Sequence, residues 1–138
     1  MTTNVLRLAG CVLLDSHKRI LLLHRNKNGL VQWELPGGKI DEGESEELTA
    51  VREIKEELGV DVVLVRKLGS AEFEGLDMPC YYTWFLAELH GEGVPTIGEP
   101  QTFDDMQYFP ISECETLALS ANMKNLMAAF HSGEVSLD

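Results

Sequence analysis

The sequence predicts a mixed α/β (α+β) fold in which a mixed β-sheet is sandwiched between helices. Two observations indicate this class. Apolar segments rich in β-branched and aromatic residues alternate with two segments of helical periodicity, and the order along the chain is strands, helix, strands, helix. The chain has 138 residues, 44% of them hydrophobic, so it can bury one core without disulfides or structural metal. We therefore expect a single domain over residues 1–138.

The individual elements follow from apolar runs and turn signals. Residues 5–14 are apolar and lead through a polar turn into the apolar run 20–23, which predicts a β-hairpin. The other predicted elements are a short extended segment at 30–35, a helix at 44–58, strands at 62–73 and 79–89, a loop at 91–103, a short strand at 106–109 and a terminal helix at 121–131.

The predicted helix at 44–58 places charged residues on one face and apolar residues on the opposite face. At about 100° per residue, the charged arc consists of Arg52, Glu53, Glu56 and Glu57. Each like-charged pair three or four residues apart costs ~0.2–0.5 kcal/mol in an isolated helix, and negative charge near the helix C-terminus costs ~0.3–1 kcal/mol. A bound cation would offset both costs. Carboxylates without His or Cys among them suit Mg²⁺ or Mn²⁺; the alternative is a solvated, glutamate-rich face.

A glycine pair precedes this helix. The segment Leu35-Pro36-Gly37-Gly38 predicts a sharp turn, because two successive glycines tolerate positive φ and let the backbone approach a ligand closely. Gly59 supplies the helix C-terminal stop. A turn placed directly before an acidic helix indicates a ligand site rather than a plain surface helix.

The spacing of these residues resembles the Nudix box at every defining position. From Gly38 it reads five residues, Glu44, seven residues, Arg52-Glu53-Ile54, one residue, Glu56-Glu57, one residue, Gly59-Val60. The segment Trp33-Glu34-Leu35-Pro36 before the glycines, together with the compact length, is similar to the MutT type, the (8-oxo-)dGTP pyrophosphohydrolases.

The resemblance implies metal-dependent hydrolysis of a nucleoside triphosphate, including an oxidised one such as 8-oxo-dGTP, to the monophosphate and pyrophosphate. Water attacks phosphorus, and Mg²⁺ or Mn²⁺ bridges the phosphates. The roles that we assign on this basis are metal ligation by Glu53, Glu56, Glu57 and the Gly38 or Gly37 carbonyl, a further candidate role of Glu53 as base, orientation of the carboxylates by Arg52, and support of the helix start by Glu44.

A further metal-binding acid is expected from the loop after the aromatic strand, because MutT-like enzymes draw one from there. Glu99 is the first choice, since Gly98 and Pro100 should hold it in a bent, exposed segment. Asp104 and Asp105 are the alternatives. The alternative, in which Glu99 is an ordinary solvated loop acid, is equally favoured.

Substrate contacts are expected from two other places. Arg25 and His24 could donate to phosphates. A plain surface role is an equal interpretation for Arg25 and the stronger one for His24. Asn122, at the start of the terminal helix, matches the place where MutT-like enzymes read the purine edge, since an amide offers one acceptor and two donors. The alternative is that Ser120 or Asn122 only caps the helix.

Two rival functions stay open at this stage. The substrate could instead be a nucleotide sugar or a dinucleoside polyphosphate, although residues 75–78 lack the proline or tyrosine that those branches tend to carry. A catalytically silent Nudix-fold sensor is the other class. The complete set of acids in the box favours the enzyme.

Composition limits the partners. The net charge of −12 argues against a nucleic-acid polymer and for a small nucleotide whose charge is bridged by cations. We expect a cytoplasmic protein without membrane span or secretory leader, either monomeric or homodimeric. The three cysteines are expected to be reduced packing residues, and the four scattered histidines do not indicate zinc.

Overall fold

The computed structural model describes residues 4–138. Its elements are strands β1 (Leu6–Leu13), β2 (Ile20–Lys27), β3 (Leu30–Glu34) and β4 (Gly37–Lys39), helix α1 (Glu46–Leu58), strands β5 (Asp61–Glu74), β6 (Pro79–His90) and β7 (Phe103–Phe109), and helices α2 (Ile111–Cys114) and α3 (Ala121–Ser132). The predicted class is confirmed. No helix among residues 4–138 is long and apolar enough to cross a membrane.

Hydrogen bonding divides the strands between two sheets. One sheet has the order β4-β1-β6-β5, with β1 and β6 parallel and the other pairs antiparallel, and the second is antiparallel with the order β3-β2-β7. Strand β1 is buried on both faces: Cys11 and Leu13 join the apolar cluster that contains Ile54 of α1, whereas Val12 joins the cluster that contains Met123 of α3. The alternation follows from the two-residue repeat of a strand, so α1 and α3 cover opposite sides.

The predicted hairpin between residues 5–14 and 20–23 is wrong. Strands β1 and β2 meet at one isolated bridge, Leu14 to Ile20, and otherwise belong to different sheets. The reason is that both strands are apolar on both faces. Each is therefore the interior strand of its own sheet, with β1 between β4 and β6 and β2 between β3 and β7.

The glycine pair forms a short strand instead of the predicted positive-φ turn. Gly37 pairs with Gly10 and Gly38 pairs with Ala9, and neither Gly37 nor Gly38 has a positive φ. Glycine is required there because of close approach. A Cβ on Gly37 would collide with the Tyr82 hydroxyl, and a Cβ on Gly38 would collide with the Glu53 carboxylate.

The acidic helix has well-defined ends. The Ser45 hydroxyl accepts a hydrogen bond from the Leu48 N–H at 3.1 Å, so α1 begins at Glu46, two residues later than predicted. Gly59 ends the helix with φ 70°, in the left-handed region, as the sequence indicated. The short helix α2 was not predicted. The cysteines Cys11, Cys80 and Cys114 are free and buried.

Candidate active site

Arg52 connects the carboxylates of the acidic face. Its Nε and Nη2 donate to the two oxygens of Glu44 at 2.8 and 2.9 Å, and its Nη1 donates to Glu53 at 3.0 Å and to Glu56 at 3.1 Å. Nη2 also donates to the Lys39 carbonyl at 3.1 Å, which ties the helix to β4. Hydrogen bonds from Arg52 and then from Thr49 lower the pKa of Glu44 to about 2. Glu44 thus lies where a supporting residue is expected.

Glu57 is buried against the glycine strand. It is 4% exposed, and its Oε1 accepts the Gly37 N–H at 2.7 Å. Loss of hydration, followed by the charge of Glu53, raises the pKa of Glu57 to about 9. Burial, followed by the charge of Glu56, also raises the pKa of Glu53. Burial is thus the main cause of both shifts, and repulsion between neighbouring carboxylates adds to it.

The loop before β7 docks onto the C-terminal end of α1 and brings Glu99 to these carboxylates. The Thr96 and Gly98 N–H groups donate to the Leu58 and Glu57 carbonyls at 2.9 and 2.8 Å, so the loop satisfies helix carbonyls that lack intrahelical partners. A Cβ on Gly98 would collide with the helix backbone. The charge of Glu99 contributes to the raised pKa of Glu57, behind burial and Glu53.

The two alternative loop acids have other partners. Asp104 accepts from His24 Nδ1 at 2.6 Å and from Asn26 at 3.1 Å. Asp105 accepts from Gln107 at 2.7 Å. Because Glu99 is the loop acid whose charge acts on Glu53 and Glu57, its position favours it over Asp104 and Asp105. His24 also lies 4.7 Å from the Trp33 ring, between ring centroids, in keeping with a surface role.

A cavity of about 460 Å³ opens beside the glycine strand, on the α3 side of the sheet. Arg25, Glu34, Gly37 and Gly38 line one part of it, and Asn122 lines another. Through one edge of its guanidinium, Arg25 donates from Nε and Nη2 to the two oxygens of Glu34 at 2.9 and 2.8 Å, and its guanidinium carbon lies 5.0 Å from the Phe103 ring centroid. The sequence did not reveal this partner of Arg25, because the pairing depends on the register between β2 and β3, which the tertiary structure defines.

Asn122 is 6% exposed, and its Oδ1 accepts the Trp84 Nε1–H at 2.8 Å. The helix cap is Ser120, whose hydroxyl accepts the Met123 N–H at 3.2 Å. The structure therefore separates two roles that the sequence left open, because Ser120 caps α3 while Asn122 lines the cavity. The Trp84 contact was not foreseen.

Tyr82 is another cavity residue that sequence reasoning missed. Within residues 4–138, its hydroxyl is buried without a hydrogen-bond partner, and it lies against Gly10 and Gly37. Burial raises the pKa of Tyr82 well above its usual value, so the phenol is neutral.

The carboxylates of the acidic face are chemically suited to bind a divalent cation, although they do not surround one common position. Among residues 4–138, no three His, Cys, Asp or Glu side chains converge closely enough to enclose an ion. Arg52 holds Glu53 and Glu56, and Glu57 faces the Gly37 N–H. The donors are hard oxygens, and burial followed by mutual repulsion raises the pKa values of Glu53 and Glu57, a repulsion that a cation would relieve.

The model of the NUDIX domain matches residues 6–130. The chain therefore belongs to the NUDIX domain family, and the resemblance in its sequence is confirmed. It is a Nudix pyrophosphohydrolase, so the silent-sensor interpretation is set aside.

Individual relatives agree with the MutT-like branch. The chain is 33% identical over 122 residues to the oxidized purine nucleoside triphosphate hydrolase of Mus musculus, which covers 76% of this chain and 78% of that protein. An RNA pyrophosphohydrolase of Roseobacter denitrificans is 25% identical over 125 residues, covering 75% and 76%. A relative from Bacillus subtilis is 47% identical over an aligned segment, and that segment spans 40% of the relative's length.

Solved structures share the architecture. The crystal structure of a MutT NUDIX hydrolase from Burkholderia pseudomallei superposes with a TM-score of 0.79 at 25% identity, and the match covers 91% of this chain and 97% of that one.

The raised pKa values give a prediction about the metal-free protein. A carboxyl whose pKa is raised on folding stabilises the fold fully below its unfolded pKa, and that stability is lost as the pH rises through the folded pKa. For the pKa of Glu57 this window runs from its usual value of 4.5 to about 9, and the pKa of Glu53 shifts in the same direction. The free energy of unfolding in EDTA, measured with urea, should fall between pH 5 and pH 9, and Glu57→Gln should flatten the decline. An equal slope in the variant would contradict this assignment.

Proposed function

We propose that this Nudix hydrolase converts a nucleoside triphosphate, including an oxidised purine nucleotide such as 8-oxo-dGTP, to the monophosphate and pyrophosphate with Mg²⁺ or Mn²⁺. The observation that carries the proposal is the juxtaposition of the carboxylates gathered on α1 with a cavity of about 460 Å³ that is lined by Gly37, Gly38 and Asn122. A nucleotide sugar or dinucleoside polyphosphate is the alternative, and a substrate panel distinguishes it.

Each residue of the acidic face has a defined part in this proposal. Glu53, Glu56 and Glu57 would hold the cation, with Glu99 and the Gly38 or Gly37 carbonyl as further oxygens. When bound, a divalent cation supplies Lewis acidity to the phosphate oxygens and to the attacking water. Arg52 orients Glu53 and Glu56 through the hydrogen bonds described above. Glu53, half-buried and beside Gly38, is the candidate base, and Glu99 is the other.

Arg25 and Glu34 would define the substrate end of the acidic site. Because Arg25 is paired with Glu34, its net contribution to phosphate binding is smaller than that of a free guanidinium. The pair instead fixes the side wall of the cavity, and the donors left for a phosphate would be those that Glu34 does not use. Gln32 donates to Glu34 at 2.9 Å and holds the same wall.

The first test removes charge and keeps shape. Glu56→Gln and Glu57→Gln should each lower kcat by about two orders of magnitude or more, the scale seen when an electrostatic stabiliser is lost. Glu47→Gln is the matched control, because Glu47 is an exposed glutamate of the same helix. Release of pyrophosphate and of orthophosphate should be scored separately over the substrate panel. Near-parental turnover in both site variants would overturn the metal assignment.

A second test follows metal binding without activity. Mg²⁺ or Mn²⁺ at ten times its Kd should stabilise the parent by about 1.4 kcal/mol, since a ligand of the folded state contributes RT ln(1 + [L]/Kd). The rise in Tm should be smaller in Glu53→Gln and Glu57→Gln and unchanged in Glu47→Gln. A rise of the same size in all four proteins would locate the cation elsewhere.

Asn122 is proposed to read the base. Its Oδ1 is engaged by Trp84, so its amide N–H groups are the donors left for an acceptor on the base, such as O6 of guanine. Asn122→Asp keeps an acceptor for Trp84 and exchanges the donors for an oxygen. The kcat/KM ratio of 8-oxo-dGTP to dCTP should fall about tenfold, or ~1.4 kcal/mol.

Two comparison variants separate base reading from folding. Asn122→Ala should lower the free energy of unfolding by about 1–3 kcal/mol, because the Trp84 N–H is left unpaired. Ser120→Ala should cost about 1 kcal/mol through loss of the cap and leave the base preference unchanged. A constant base ratio in Asn122→Asp would remove Asn122 from substrate recognition.

A further inference from the structure

Two leucines from different hairpins line the cavity. Leu30 follows the β2–β3 turn and is 45% exposed, and Leu76 lies in the β5–β6 turn and is 99% exposed. Isolated exposed leucines are common and need no explanation. Leu30 and Leu76 differ from this case, because they come from separate turns and line the same cavity, so that one ligand could contact both.

The backbone of each turn is fixed. In the first hairpin, Lys27 pairs with Leu30, and the two linking residues have positive φ, 54° at Asn28 and 80° at Gly29, as a tight two-residue turn requires. In the second, Glu74 pairs with Pro79, and the Gly75 N–H donates to the Met78 carbonyl at 3.0 Å. Both leucines therefore project from ordered backbone.

Strand β3 sets the position of Leu30 relative to the acidic site. Leu30, Gln32 and Glu34 are two residues apart, so their side chains point to the same face of β3, and all three line the cavity. Glu34 contacts Arg25 at the acidic end. Leu30 lies four residues away, which is ~13 Å along a strand. A nucleotide with its phosphates at the acidic end would carry its base toward Leu30.

We propose that Leu30 and Leu76 form an apolar clamp on the nucleobase of the substrate, and this rests on the proposed nucleotide function. A base is planar with apolar faces, and removing apolar surface from water is favourable and non-directional. The clamp therefore strengthens binding of all bases to a similar extent, whereas Asn122 distinguishes among their edges. Because Leu76 is 99% exposed, its contribution lies in the bound state and not in the stability of the fold.

The experiment replaces each leucine by a polar residue of similar size. Leu30→Gln and Leu76→Gln should each raise KM for nucleoside triphosphates about five- to tenfold, where tenfold corresponds to ~1.4 kcal/mol, with kcat unchanged. The Kd of a non-hydrolysable α,β-methylene nucleotide, measured by calorimetry, should rise by the same factor. Leu48→Gln is the matched control, since Leu48 is 62% exposed on α1 and does not line this cavity. It should change neither constant, and the Tm of the Leu76 variant should equal that of the parent.

A base-free substrate completes the test. Ribose 5-triphosphate should be hydrolysed with the same KM by the parent and by both clamp variants. Unchanged KM and Kd for nucleotides in both variants would overturn the clamp, and so would an equal rise in KM for ribose 5-triphosphate. If the parent hydrolyses no nucleoside triphosphate, the proposed function fails by itself, and calorimetry with the nucleotide analogue still decides the clamp.

Discussion

The acidic half of α1 depends on a single guanidinium. Arg52 bonds to Glu44, Glu53 and Glu56, and its Nη2 lies 3.3 Å from Asp41. One positive charge therefore faces four carboxylates, while Glu57 is buried nearby and has no cationic partner among residues 4–138. Several carboxylates held this close retain a net negative field. Arg52 keeps the cluster compact without neutralising it, and this is the electrostatic state in which hard cations bind well.

Close backbone approach fixes the rest of the site around this cluster. Gly38 lies against Glu53, Gly37 against Tyr82, and Gly98 against the last turn of α1. In each case a side chain would occupy the space that another group already fills. The glycines consequently set distances between the helix, the strand and the loop. A methyl group at any of them would separate elements whose spacing the acidic site requires.

The sequence predicted those features that depend on local pattern. The left-handed Gly59 and the burial of Ala50, Ile54 and Leu58 follow from residue spacing and lie as expected. Two positions of the helix differ, because Leu48 is exposed and Glu57 is buried. The roles of the glycines before α1 were predicted for the wrong reason, because φ is a local property and the colliding groups, Tyr82 and Glu53, come from distant positions. The division of the strands into two sheets was also missed, since periodicity reports which faces are buried and not which strands are neighbours.

The residue pattern of the sequence could not predict pairings between side chains that are distant along the chain. Arg25 with Glu34 and Trp84 with Asn122 each depend on the register of elements that only the tertiary structure defines. Docking of the 96–98 segment on α1 is of the same kind, because its donors are backbone N–H groups that any sequence could supply. Glu99 could therefore be nominated from its flanking residues but not located.

Strand β6 connects the two ends of the cavity. Tyr82 and Trp84 are two residues apart, so they lie on the same face of the strand, ~6–7 Å from one another along it. The Tyr82 hydroxyl meets the backbone of Gly37 at the acidic end, and the Trp84 indole holds Asn122 at the other. Both residues are at least 95% buried, so neither can shift without disturbing the core. The separation between the acidic site and Asn122 is therefore fixed by the two-residue repeat of one buried strand. The exposed hairpin turns are the part of the cavity that can differ in sequence without altering that separation.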